Sequence, residues 1–149
     1  MARHRRVAGD RGDTLLELVI AVAIMGVALV AVLGAVGTAI VMSDIHRKQA
    51  TAGAAARGYA EAVGTMVAGG GLATCAGLGA YATPAGFTAP PGFALSVVDT
   101  RFWTGSDWVG ACSDDADMQR LTVQVRSDDE STAEWRRVTE TLTFVVRRP

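Results

Sequence analysis

Gly12-Asp13-Thr14-Leu15-Leu16-Glu17-Leu18-Val19 joins an arginine-rich start to a long apolar run and sets one carboxylate, Glu17, near the mouth of that run. From Leu18 through Met42 no residue carries a charge. At about 1.5 Å per residue, a helix of that length crosses a hydrocarbon core of roughly 30 Å. A cleaved secretory signal has an apolar region of only about 7–15 residues followed by a small-x-small cut, so a membrane helix is the better reading. Arg3, Arg5, Arg6 and Arg11 precede the run and no comparable basic cluster follows closely. Positive charge then keeps the N-terminus in the cytoplasm and sends the remainder outward.

Glu17 has two readings. A carboxylate at helix-centre depth costs about 2.5–3.5 kcal/mol on insertion scales, and carboxylates inside membranes are usually functional. Alternatively, Thr14-Leu15-Leu16-Glu17 fits a capping box, in which the Thr14 hydroxyl accepts from the Glu17 amide and the Glu17 carboxylate accepts from the Thr14 N–H. Acidic charge also suits a helix N-terminus. The glycine just upstream separates the two readings.

With Gly12 ahead of Asp13-Thr14-Leu15-Leu16-Glu17-Leu18, the stretch from Arg11 to about Met42 resembles the prepilin N-terminal motif of type IV pilins and type II secretion pseudopilins. The resemblance implies a prepilin peptidase that cuts after Gly12 and methylates the new amine of Asp13. It implies that Glu17 then pairs with the N-terminus of a neighbouring pilin or pseudopilin subunit. A carboxylate buried between packed helices is tolerable only when an ammonium compensates it, and the pairing would set the axial register. Asp13 stands where the family usually carries phenylalanine, and it puts a second carboxylate beside that amine. The run also lacks the proline that many pilins carry. Gly26, Gly34 and Gly37 weaken the helix locally or let helices approach, and Gly34 and Thr38 have small-x-x-x-small spacing.

Beyond the run, Ile45, Ala52, Ala56, Tyr59, Val63 and Val67 recur at helical spacing, while Arg47, Lys48, Arg57 and Glu61 fall largely elsewhere. Gly69-Gly70-Gly71 should stop the helix. Residues 69–92 are rich in Gly, Ala, Thr and Pro without a steady period and read as a long loop. Gly77-Leu78-Gly79 there lacks the lysine and following helix that a phosphate site needs. Strand alternation follows in Phe93-Leu95-Val97, in Leu121-Val123-Val125 and in Val138-Leu142-Phe144-Val146, with Glu140 as a polar exception. Trp103-Thr104-Gly105-Ser106-Asp107-Trp108 reads as a hairpin tip, and Ser127 to Thr132 as a polar turn. The expected fold is α+β. A long N-terminal helix, membrane-spanning in its first half and amphipathic in its second, packs on a small antiparallel meander of about four strands. The segments are a basic leader (1–12), a hydrophobic assembly helix (13–43), an amphipathic helix (44–68), the loop (69–92) and a sheet head (93–149).

A globular part of roughly eighty residues is only marginally stable by its core alone and wants a staple. Cys75 and Cys112 are the only cysteines, and both lie in the exported part. A disulfide is the preferred reading over free thiols or metal ligands, because an oxidising exterior favours it and no histidine lies nearby.

Catalysis has no support: His4 lies in the leader and His46 beside the membrane boundary, so neither serves a cluster in the sheet domain. No cofactor and no small-molecule substrate are expected. Asp114, Asp115 and Asp117, with Asp128, Asp129 and Glu130, offer oxygens for calcium, but their spacing is no EF-hand loop, and acidic turns are ordinarily just solvated. Cutting after Gly12 leaves ten basic residues against fourteen acidic ones, a net of −4. Arg136, Arg137, Arg147 and Arg148 then read as solvated strand faces, and nucleic acid is not an expected partner. The expectation is a minor type IV pilin or pseudopilin, packed through its N-terminal helix into a cell-envelope or extracellular filament. The alternative is an uncleaved single-pass membrane protein whose head is a surface binding module.

Overall fold

The structure is a computed structural model and describes residues 13–71, 74–82, 84–112, 117–128 and 133–148. One helix, α1, runs from Asp13 to Ala68. Four strands follow: β1 Phe93–Trp103, β2 Trp108–Val109, β3 Met118–Ser127 and β4 Thr139–Arg147. The result is an α+β protein, a long apolar N-terminal helix with a small antiparallel four-stranded sheet. The chain separates after Ser43 into two compact units.

In the first unit the helix from Thr14 through Ile40 is exposed along its whole length, Leu15 at 69 % and Leu33 at 71 %. It is long and apolar enough to cross a membrane. The helix is described from Asp13 onward, so Thr14 and Glu17 both lie near its described start.

The second unit holds the core. Ala52, Ala56, Tyr59, Val63 and Val67 are buried along one face of α1, as their helical spacing requires, and Ile45 is partly buried at the start of that face. They pack with Leu121, Val123, Val125, Val138 and Val146 from the sheet side. The glycines end α1 in a Schellman arrangement: Gly70 N–H donates to the Val67 carbonyl and Gly71 N–H to the Met66 carbonyl, both at 3.0 Å, with Gly70 at φ +77°. A Cβ on Gly71 would sit 2.9 Å from the Met66 carbonyl oxygen, so this stop requires glycine.

The sheet order is β2-β1-β3-β4. It is therefore not a simple meander. β2 has only two residues, enough to close the hairpin through Trp103↔Trp108 but too few to carry β3, so β3 pairs with β1. The hairpin tip is held by the Thr104 amide donating to the Asp107 carbonyl, with Gly105 at φ +99°. A bulge lies between Val97 and Asp99. Phe93, Leu95 and Val97 face the core before it, and Thr100 and Phe102 after it, because one extra residue reverses the alternation. Val138 is buried ahead of β4 rather than within it; its N–H donates to Ser127 Oγ and its carbonyl accepts from the Ser127 N–H.

The segment 69–92 is not wholly irregular. Leu78–Tyr81 forms one 3-10 turn that delivers Tyr81, fully buried, beneath the sheet.

Candidate functional site

In the first unit the residues of interest lie at the start of α1. Asp13 is its first described residue, and Glu17 follows one turn later. Gly12 and the leader lie outside the described residues. Glu17 is exposed among exposed Leu15, Leu16, Leu18 and Ile20. A carboxylate in such a collar is comfortable in water and expensive in hydrocarbon unless a cation meets it, so its available chemistry is to hold an ammonium. Further along, nothing lies within 4 Å of a Cβ placed on Gly26, Gly34 or Gly37, and the Thr38 hydroxyl donates to the Gly34 carbonyl at 3.0 Å. Thr38 is thereby satisfied within its own helix, and the glycines leave bare backbone for close approach of another helix.

In the second unit the two cysteines are joined. Cys75 and Cys112 form a disulfide with Cα atoms 5.6 Å apart, closing a loop of sequence separation 37. This ties the segment after α1 to the stretch following β2. Two other ties were not legible in the sequence. The Tyr59 hydroxyl donates to the Tyr81 carbonyl, and the Tyr81 hydroxyl donates to Gln119 Oε1, so a buried polar chain runs from helix through turn to sheet. Asp44 gathers three cations: Lys48 Nζ, Arg47 Nη2 and, from 92 positions away, Arg136 Nη2, each at 3.3 Å. The Lys48 ammonium above all, with both arginines, holds the Asp44 carboxyl below its usual value against an opposing desolvation. The nearest signal for these ties was Tyr59 among small apolar residues, which a buried phenol must justify with a partner.

His46 Nδ1 lies 3.3 Å from Gln49 Oε1 on the exposed side of α1, and His4 lies outside the described residues. Among the described residues no group of three His, Cys, Asp or Glu side chains is placed to hold a metal. Of the acidic residues considered for calcium, Asp114, Asp115, Asp129 and Glu130 lie outside the described residues, and Asp117 is paired with Arg148.

No family model, curated protein or solved structure matches this chain.

Proposed function

We propose that the protein is a structural subunit of a cell-envelope or extracellular filament, a minor type IV pilin or pseudopilin. On this reading it is inserted with its N-terminus in the cytoplasm, cut after Gly12 by a prepilin peptidase and packed through the first half of α1 against other subunits. The observation that carries the reading is the combination at the head of α1: Gly12, then Glu17 one turn into the helix, then a charge-free run whose apolar side chains have no partner within their own unit. A carboxylate one turn into such a helix is a liability for a simple anchor and an asset for a subunit that must meet a neighbour's terminal amine. The work is assembly rather than catalysis.

Mass spectrometry of the N-terminal peptide from membranes of the native host tests the processing step. A chain starting at Asp13 is expected; one starting at Met1 would leave a membrane-anchored binding module as the better account. Glu17→Ala tests the assembly step. The variant is expected to insert and be processed normally, yet to enter sheared filament fractions at least tenfold less than the wild type. Normal incorporation would remove Glu17 from assembly.

A further inference from the structure

The outer face of the sheet, turned away from the core, has no role in the assembly reading, and it is chemically unlike the rest of the chain. Strand alternation sets Arg101, Arg120, Arg126 and Arg147 on that face, opposite the buried Thr100, Leu121, Val125 and Val146. Among the described strand residues one carboxylate shares it, Asp99, whose Oδ2 accepts from Arg101 Nε at 2.9 Å. A chain with a formal net charge of −1 thus concentrates cations on a single surface.

At one corner of this face the cations adjoin aromatic rings. Trp103 and Trp108 pair across the hairpin with ring centroids 5.2 Å apart and planes at 52°. The Arg120 guanidinium lies over Trp108, 5.0 Å from its centroid. Arg101 and Arg120 are register partners, which brings a second arginine to the strands at this corner, and both rings are part-exposed. Away from the indoles the face carries Ser96, Gln124, Thr122 and Thr143, the last two bonded to each other at 3.1 Å, together with the exposed Val98 and Val145. It ends in a groove lined by Ala94, Ser96, Arg126, Asp128 and Arg137. From Ala94 to Trp103 the strand extends about 30 Å at roughly 3.3 Å per residue.

We propose that this face binds an acidic polysaccharide, with its carboxylate or phosphate groups on the arginines and its sugar rings on Trp103 and Trp108. The charge is complementary, and complementarity of this kind selects and orients a partner. A pyranose ring presents polarised C–H groups from its faces, which suit the negative face of an indole, and hydroxyls from its rim, which suit a Ser/Thr/Gln surface. An acidic protein segment fits less well: the exposed valines of this face, Val98 and Val145, lie on the non-adjacent strands β1 and β4 and give no continuous apolar strip to take an anchoring side chain. The inference stands apart from filament assembly, since none of these residues belongs to the first unit.

The test uses the full-length chain in detergent micelles at near-physiological salt. The probes are alginate, neutral dextran and poly-glutamate, followed by calorimetric titration. Alginate is expected to bind and dextran not. Trp108→Ala and Arg120→Gln are each expected to weaken alginate binding at least tenfold. Arg126→Gln, at the exposed far end of the face, should cost several-fold with an unchanged melting temperature, which separates lost contacts from lost folding. Arg57→Gln, on an exposed position of α1, should leave binding as it was. Absence of alginate binding would overturn the proposal. So would equal binding of poly-glutamate, which would mark a protein partner, or equal losses in Arg57→Gln, which would mark unspecific charge attraction.

Discussion

Tyr59 carries a phenol into the centre of the head, where it is fully buried and its edge meets the rings of Phe87 and Phe144 at centroid distances of 5.3 and 6.5 Å. Burial pushes its pKa up to about 12 from 10.0. The folded state therefore favours the neutral phenol more than the unfolded chain does. Between about pH 10 and 12 the native protein binds more protons than the unfolded one, and stability falls as pH rises. Asp44 acts at the other end: with its folded value held below 3.8 by Lys48, Arg47 and Arg136, its contribution is complete above that value and is lost as pH falls through and below it. Urea midpoints measured across pH should show both shoulders. Tyr59→Phe is expected to remove the alkaline shoulder, and Asp44→Asn to soften the acid one. At neutral pH Tyr59→Phe should cost about 1–2 kcal/mol, since it removes the buried hydrogen bond from the Tyr59 hydroxyl to the Tyr81 carbonyl. An alkaline shoulder that persists in Tyr59→Phe would assign the titration elsewhere.

At the scale of elements, the head is held together by ties between segments distant in sequence. The Cys75–Cys112 bond closes a loop of separation 37, worth about 4 kcal/mol in the chain-entropy model. For a domain of this size that is roughly 15–25 °C in melting temperature. Cys75→Ser, Cys112→Ser and the double variant are expected to melt lower by similar amounts, and reductant should lower the wild type to meet them. If reductant left the melting temperature unchanged, the bond would be ornamental to stability. These elements differ in how far the sequence disclosed them. The buried face of α1 was legible because Ala52, Ala56, Tyr59, Val63 and Val67 keep one helical period, and the stop was legible in three consecutive glycines. The parity reversal in β1 was not, because Val97-Val98 is apolar at both positions and alternation alone cannot say which residue is the extra one. The Tyr81 turn was equally hidden: a single buried tyrosine in a Gly/Ala segment has no period, and its place is fixed by Tyr59 and Gln119 across the fold. The Asp44–Arg136 pair is a purely tertiary fact. In the first half of α1, Glu17 and the small residues around Gly34 could be named from the sequence, as could Gly12, which lies outside the described residues.

At the scale of the molecule, the division after Ser43 has a thermodynamic consequence. Every residue of the hydrophobic core, from Ala52 to Val146, belongs to the second unit, as do the partly buried Ile45 and Leu142 packed against it. The disulfide, the Tyr59–Tyr81–Gln119 chain and the Asp44 cation cluster belong there too. The described residues of the first unit contribute none of these, and their apolar surface is large: Leu15, Leu18, Ile24, Val27 and Leu33 are each more than 60 % exposed. Exposed apolar area of that kind is unfavourable in water by about 25 cal/mol per Å² and becomes favourable when lipid or another helix covers it. The two halves of α1 should therefore be separable in function without loss of the fold. A chain beginning at Asp44 is expected to be monomeric in aqueous buffer, with cooperative thermal unfolding close to that of the detergent-solubilised full-length protein. The full-length chain is expected to remain in the membrane pellet after alkaline carbonate extraction. Loss of cooperative unfolding in the shortened chain would mean that the first half of α1 stabilises the head. Release of the full-length chain by carbonate would mean that its apolar run is not buried in lipid, which would remove the physical basis for placing Glu17 at the membrane.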